Sequence, residues 1–400
     1  MAKSRNSLTL NTHSAFLNAA ASRIMHHASR ITYHGLLLAC FAFLLTACQV
    51  PGAVRPTVKI GLVAPFEGRY RYVGYDVIYA VRLALRQANA AGGVGGYSVE
   101  LVAYDDQADP AMAIEQARKL AADPDVVAAI GHFDEKTTAA ARNAYVAAGL
   151  PLVAPAVLDP TLTPGEVETC WVCRLGPPAD TVADALLRRV DRWGHRQVAL
   201  VTDGGPLGAA LQQGAQRHGL RVWPSVSPQD ADWLRQVKGS GSQVVLCDAS
   251  PVVAGNVVAA LGDAAWDGSV LGGPQLAASD FSAVAGRAVE GVTFVTPWPF
   301  PADALAVAEF ATAYRSVSND VPPGPLAAPA YEATWMLLEA LRRNIAAQGT
   351  PTRQGMAAIL PATGRQGVLG PISLDAGHSW TNAPLYWYRI NGDGTPEPLP

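Results

Sequence analysis

At 400 residues, half of them apolar and only 16% charged, the chain has material for two or three domains and a large buried core. The formal net charge is −3, and residues 1–47 hold Lys3, Arg5, Arg23 and Arg30 but no acid, so the remainder carries 26 basic against 33 acidic residues, a balance of −7. A mildly acidic body with no basic run excludes a nucleic-acid-binding surface.

The first element in chain order is an uncharged apolar run, Gly35 to Leu45, with Arg30 and His34 just before it. It is shorter than the ~20 residues a membrane-spanning helix needs and suits the apolar core of a signal peptide. Leu45-Thr46-Ala47-Cys48 follows at once and resembles a bacterial lipobox. That resemblance implies a signal over 1–47, lipid on Cys48, and an exported protein anchored on the extracytoplasmic face. Met25 as the translation start would give this signal an ordinary length, and 48–57 then reads as a Pro/Gly tether.

From Val58 onward strand and helix alternate. Val58, Ile60 and Leu62 alternate as in a strand, and Val77, Val81, Ala84 and Ala88 recur at helical spacing until Gly92 and Gly93. Val99 to Val102 predicts a strand. Pro110 to Ala122 predicts a helix capped by Asp109. Val126 to Ile130, Thr138 to Ala148 and Leu152 to Ala154 continue as strand, helix and strand. The rhythm restarts with helix Asp180 to Trp193, strand Val198 to Val201, helix Leu207 to His218, strand Val244 to Cys247 and helix Val252 to Ala265. Such alternation predicts an α/β fold of two Rossmann-like lobes with parallel sheets and helices on both faces. Open sheets of this kind bind ligands beyond the carboxyl ends of their strands, so two such ends facing each other make a cleft.

Val58 to Pro65 (VKIGLVAP), Gly68, Gly74 and Asp76, followed by Asn89 to Leu101 (NAAGGVGGYSVEL), Asp105-Asp106 and Asp109-Pro110, resemble the branched-chain amino-acid binding proteins, type I periplasmic solute-binding proteins of ABC importers. Ile130-Gly131-His132, Leu152 to Ala156, Gly273-Pro274, and Gly367 to Ile372 with Asp375 extend the resemblance over residues 58 to 395. It implies a non-catalytic, monomeric binding protein that uses no cofactor and hands a small-molecule ligand to ABC permease subunits in the membrane; some relatives of this kind sense their ligand instead. It also implies three chain crossings, near Gly176, Trp298 and Asp375, and lobes of 58–176 plus 299–375 and 177–298 plus 376–400.

The same resemblance implies a Ser and a Thr, in the loops after the third and fourth strands, that hold a ligand carboxylate with nearby N–H groups, and an acid in the second lobe that pairs with its ammonium. Here Glu135 and Leu158 fall at the first two positions and Gln275 at the third; Leu207 replaces an aromatic. A carboxylate repels a carboxylate and a neutral amide cannot neutralise an ammonium, so an altered head-group clamp is expected. The expected pocket is Tyr72, Phe133, Glu135, Ala156, Leu158, Leu207, Gln275 and Trp298, with Glu135 and Gln275 making polar contacts.

Catalytic and metal-site patterns are absent from the sequence: no His-Glu-x-x-His, no Gly-x-Ser-x-Gly and no P-loop. A lone Cys170-x-x-Cys173 lacks the second ligand pair of a structural zinc site. It also sits in a segment that reads as a strand, where the two side chains point to opposite faces, so a direct disulfide would need the strand broken. With Cys247, these leave at least one free thiol. His132 reads as a packed structural histidine, and Asp203 as a cap for the helix after it.

Overall fold

The computed structural model describes residues 55–163, 169–300 and 305–399. The signal, Cys48 and most of the tether lie outside them. Strand β1 (Thr57–Ala64) is central and its last five residues are buried, as befits a strand covered on both faces. Helix α1 (Arg71–Ala90), β2 (Ser98–Asp105), α2 (Pro110–Ala122), β3 (Val126–Ile130), α3 (Glu135–Ala147), β4 (Leu152–Ala154) and β5 (Val172–Arg174) complete the first winding. Asp109 Oδ1 accepts from the N–H groups of Ala111 and Met112, both at 2.9 Å, and Pro110 occupies the first helical position, where no donor is lost. The five strands form one parallel sheet in the order β2-β1-β3-β4-β5.

Helix α4 (Ala179–Arg192) carries the chain to a second sheet. Its strands are β6 (Gln197–Thr202), β7 (Arg221–Val226), β8 (Val244–Asp248), β9 (Ser269–Gly272) and β10 (Thr293–Thr296), joined through α5 (Pro206–Gly214), α6 (Trp233–Gly239), α7 (Pro251–Asp263) and α8 (Ser279–Ala285). The parallel part runs β7-β6-β8-β9-β10, the same winding as the first sheet.

After β10 the chain returns to the first lobe as α9 (Leu305–Arg315), α10 (Ala327–Gln348), α11 (Arg353–Ile359) and the antiparallel hairpin β11 (Arg365–Gly367) and β12 (Gly370–Ile372). Phe310, Tyr314, Met336, Leu337, Leu341, Met356 and Ile372 bury there with Ile60, Leu62, Val77 and Val81. The chain then crosses back. β13 (Tyr386–Ile390) and β14 (Pro396–Leu399) extend the second sheet antiparallel beside β10. Three crossings thus join two α/β lobes, and the second sheet gains an antiparallel edge that the strand–helix alternation did not announce.

The winding order reverses beside β1 in the first sheet and beside β6 in the second, and the loops at these switch points open at the carboxyl ends. Gly131, just past β3, shows how tightly the chain is folded there. Its φ is +136°, and a side chain would run into the Val63 carbonyl of the neighbouring strand.

Candidate functional site: the loops at the carboxyl ends of the strands

The loop after β3 enters α3 through Asp134, whose Oδ1 accepts from Lys136 N–H at 2.9 Å and Thr137 N–H at 3.1 Å. Helix α3 therefore begins at Glu135, three residues before its apolar spacing suggests. Glu135 reaches across to the loop after β4, where Oε1 accepts from Leu158 N–H at 2.6 Å and Oε2 from Asp159 N–H at 3.4 Å. Burial pushes this carboxyl up to about 7, against the two N–H bonds and the charge of Arg174, which favour the ionised form.

Arg174 ends β5 at the first crossing and is only 2% exposed. One Nη donates to the Leu158 carbonyl; Nη2 and Nε donate to Ser379 Oγ at 2.8 and 3.2 Å. Ser379 belongs to the third crossing, where Arg174 also receives a backbone bond from Trp380 N–H at 3.1 Å and donates one to His378 at 2.9 Å. The Leu158 peptide is thus held at its N–H by Glu135 and at its carbonyl by Arg174. The Leu158 side chain is buried with Ala179, Val182 and Leu207 of the second lobe. Full burial of a leucine stabilises by roughly 1.5–3 kcal/mol, so this loop is fastened to both lobes.

In the second lobe, Asp248 Oδ2 accepts from Gly208 N–H at 2.7 Å and from Thr202 Oγ1 at 3.1 Å; burial pushes it up to about 6. Asp203 does not cap the helix that follows it. It accepts from Ser250 N–H at 3.2 Å, at the start of α7, because α5 begins with Pro206 and is preceded by Gly205. Beyond the ends of β9 and β10, Gln275 Oε1 and Trp298 Nε1 remain buried and without a hydrogen-bond partner among the described residues. Gln275 follows β9 and Trp298 follows the adjacent strand β10.

Apart from Glu135 at the start of α3, the expected pocket residues fall into two groups. Tyr72, Phe133, Ala156 and Trp298 pack in or against the first lobe's core. Leu158 and Leu207 share a cluster in the second lobe, and Leu207 and Gln275 both flank Gly273. Tyr72 lies in the first turn of α1, not in a loop; burial, then the Asp280 charge of the second lobe, pushes its hydroxyl upward. Arg174, Ser379 and the Asp134 cap escaped the sequence reading. Arg174 alone carried a signal, a charge set between apolar Cys173 and Leu175.

His132 is structural: Nδ1 lies 2.6 Å from Asp106 Oδ2 and Nε2 3.3 Å from the Tyr145 hydroxyl, and His132, Asp106 and Tyr145 are all fully buried. Cys170 and Cys173 form a disulfide. The strand there is shorter than expected, since β5 starts only at Val172 and leaves Cys170 outside it, with Cα atoms 5.8 Å apart. Cys247 is free and buried. Among the described residues no cluster of metal-ligating side chains occurs, and no helix is long and apolar enough to cross a membrane.

Residues 57–395 match the family described as periplasmic binding protein. The chain belongs to that family. A Leu/Ile/Val-binding protein homolog of Brucella abortus is 26% identical over 370 residues, which cover 89% of this chain and 97% of the relative. A leucine-, isoleucine-, valine-, threonine- and alanine-binding protein of Pseudomonas aeruginosa is 25% identical over 72% of this chain and 78% of its own. The branched-chain amino-acid transporter substrate-binding protein of Streptococcus pneumoniae, solved with isoleucine, shares the fold at a TM-score of 0.74 and 22% identity, covering 86% of this chain and 99% of that one. A solute-binding protein of Rhodopseudomonas palustris, solved with benzoate, superimposes at 0.72 and 19% identity, covering 86% and 95%. This periplasmic binding protein is therefore a binding protein and not an enzyme, with the type I two-lobed fold.

Proposed function

We propose that this periplasmic binding protein is the lipid-anchored, extracytoplasmic receptor of an ABC importer, a monomer that closes on a small polar solute and presents it to permease subunits. The lobes that close are 58–176 plus 299–375 and 177–298 plus 376–400, and the pocket draws on Tyr72, Phe133, Glu135, Ala156, Leu158, Leu207, Gln275 and Trp298. Relatives named for leucine, isoleucine and valine, and a fold neighbour holding benzoate, support a small organic solute. The observation that carries the altered head-group clamp is Glu135 itself: a carboxylate spans the loops after β3 and β4 and takes the N–H groups of Leu158 and Asp159.

A thermal-shift screen of the detergent-solubilised full chain tests this reading. The panel holds branched-chain amino acids, threonine, alanine, benzoate, and neutral amides and ureas. A ligand at 100 times its dissociation constant adds about 2.7 kcal/mol of stability, a shift of a few degrees for a chain this long. Stabilisation by a neutral polar solute is the expected result. Stabilisation by leucine, isoleucine or valine alone returns the protein to an ordinary amino-acid clamp, and silence across the panel favours a sensing or accessory lipoprotein. Replacing Cys48 with Ser is expected to move the protein out of the membrane fraction.

A further inference from the structure

The first lobe offers an anion two places at its carboxyl edge, and its own side chains fill both. One is the N-terminus of α3, where unpaired N–H groups and the helix dipole attract negative charge. Asp134 Oδ1 already takes the Lys136 and Thr137 N–H groups there. The other is the pair of consecutive N–H groups of Leu158 and Asp159, which converge on the two oxygens of Glu135. Two donors meeting one carboxylate is the geometry by which a bound carboxylate would itself be held. The buried cation nearest to Glu135 offers no substitute. Arg174 is turned to the Leu158 carbonyl and to Ser379, its guanidinium committed to backbone and hydroxyl.

We propose that Glu135 is a resident carboxylate: it fills the N–H pair at the end of β4 and so restricts the protein to solutes that present no carboxylate to the first lobe. The inference rests on the solute-binding reading above and names its ligand class. A solute anion entering here would have to displace a side chain held covalently in place, and would meet the charges of Asp134 and Asp159 beside it. The residues that follow β9 and β10 are consistent with an uncharged solute. Gln275 Oε1 is an unpaired acceptor and Trp298 Nε1, on a residue 4% exposed, an unpaired donor. A neutral amide or ureide carries both a donor that Gln275 Oε1 accepts and an acceptor for Trp298 Nε1, whereas a carboxylate offers only the acceptor.

The test replaces the resident group by a free one. The full chain and its Glu135→Ala variant are melted at pH 8, where Glu135 and acetate are both ionised, in rising sodium acetate, with sodium chloride at matched ionic strength as control. Acetate is expected to raise the melting temperature of Glu135→Ala by several degrees beyond chloride and to leave the natural protein at its chloride value. An equal response of the two proteins, or none in a folded variant, overturns the proposal. Should Glu135→Ala fail to fold, Glu135→Asp keeps a charge at the start of α3 but is too short to span both loops. Its acetate response then decides in the same way. Acetate rescue with no solute found for the natural protein would leave Glu135 as the resident carboxylate and remove the solute-binding reading. A solute that binds while acetate rescues nothing would do the reverse.

Discussion

The two lobes wind in the same order, β2-β1-β3-β4-β5 and β7-β6-β8-β9-β10, yet their carboxyl edges are finished differently. In the first lobe the charged groups close onto the chain: Asp134 on α3, Glu135 on the loop after β4, and Arg174 on that loop and the third crossing. The strand ends of the second sheet close Asp203 and Asp248 onto N–H groups in the same manner but leave unpaired Gln275 Oε1 after β9 and, after β10, Trp298 Nε1, whose ring packs on the first lobe's core. Identical winding therefore builds one edge that is satisfied internally and one that is not. Topology fixes where a site can be, and the side chains at the strand ends decide what it can take.

The sharpest way to break this contrast is to unfasten the first edge. Arg174→Met keeps an apolar stem of similar bulk but strands the Leu158 carbonyl and Ser379 and removes the buried cation near Glu135. Removing one member of a buried polar set costs about 3 kcal/mol. Urea unfolding is expected to show a loss of that size, and a change below about 1 kcal/mol would mean that the crossing does not depend on the guanidinium.

Glu135 sharpens the contrast through pH. Its folded carboxyl is raised from the ordinary 4.5 to about 7, so the folded state holds this proton more tightly than the unfolded chain. The resulting stabilisation is complete below pH 4.5 and is lost as pH rises through 7. Asp76 and Asp248, both pushed up to about 6 by burial, give slopes of the same sign. Glu135→Gln removes only its own slope, because the other two are common to both proteins. The stability of the variant relative to the natural protein is expected to rise by about 2 kcal/mol between pH 4.5 and 8. Parallel curves would show that Glu135 is not held away from water as its contacts imply.

Much of this architecture was legible where apolar periodicity is strong. Helix α2 and strand β3 begin and end where the sequence reading places them, since Asp109-Pro110 caps the one and five consecutive apolar residues make the other. Helix α3 starts earlier than its periodicity shows because its first turn, Glu135 to Thr138, is polar and only the Asp134 cap marks it. Helix α10 left little signal: Ala327, Ala328, Ala330, Ala333 and Ala340 are all buried, and alanine blurs the contrast between faces. The Glu135 position was visible as a mismatch with the family's clamp. Its partners were not, because a bond to a backbone N–H 23 residues away leaves no trace in residue type.

The smallest effect on the unliganded protein is expected where the second edge is open. Trp298→Phe deletes the unpaired indole N–H, which costs free energy as long as it stays buried without an acceptor, and also trims the ring. The gain of about 1–3 kcal/mol from removing the orphan donor opposes the packing loss, so unliganded stability should change by less than about 1 kcal/mol. Trp335 supplies the control. Its Nε1 is likewise unpaired, but the residue sits on α10 with Arg365 packed over its ring at 5.4 Å. Trp335→Phe should perturb stability to a similar degree and leave the solute's affinity alone. Trp298→Phe should weaken it about tenfold, the equivalent of ~1.4 kcal/mol for one lost hydrogen bond, measured by calorimetry with whichever solute the melting screen selects. If both variants bind equally well, the open edge of the second lobe is not where the solute is held, and the contrast between the lobes concerns folding alone.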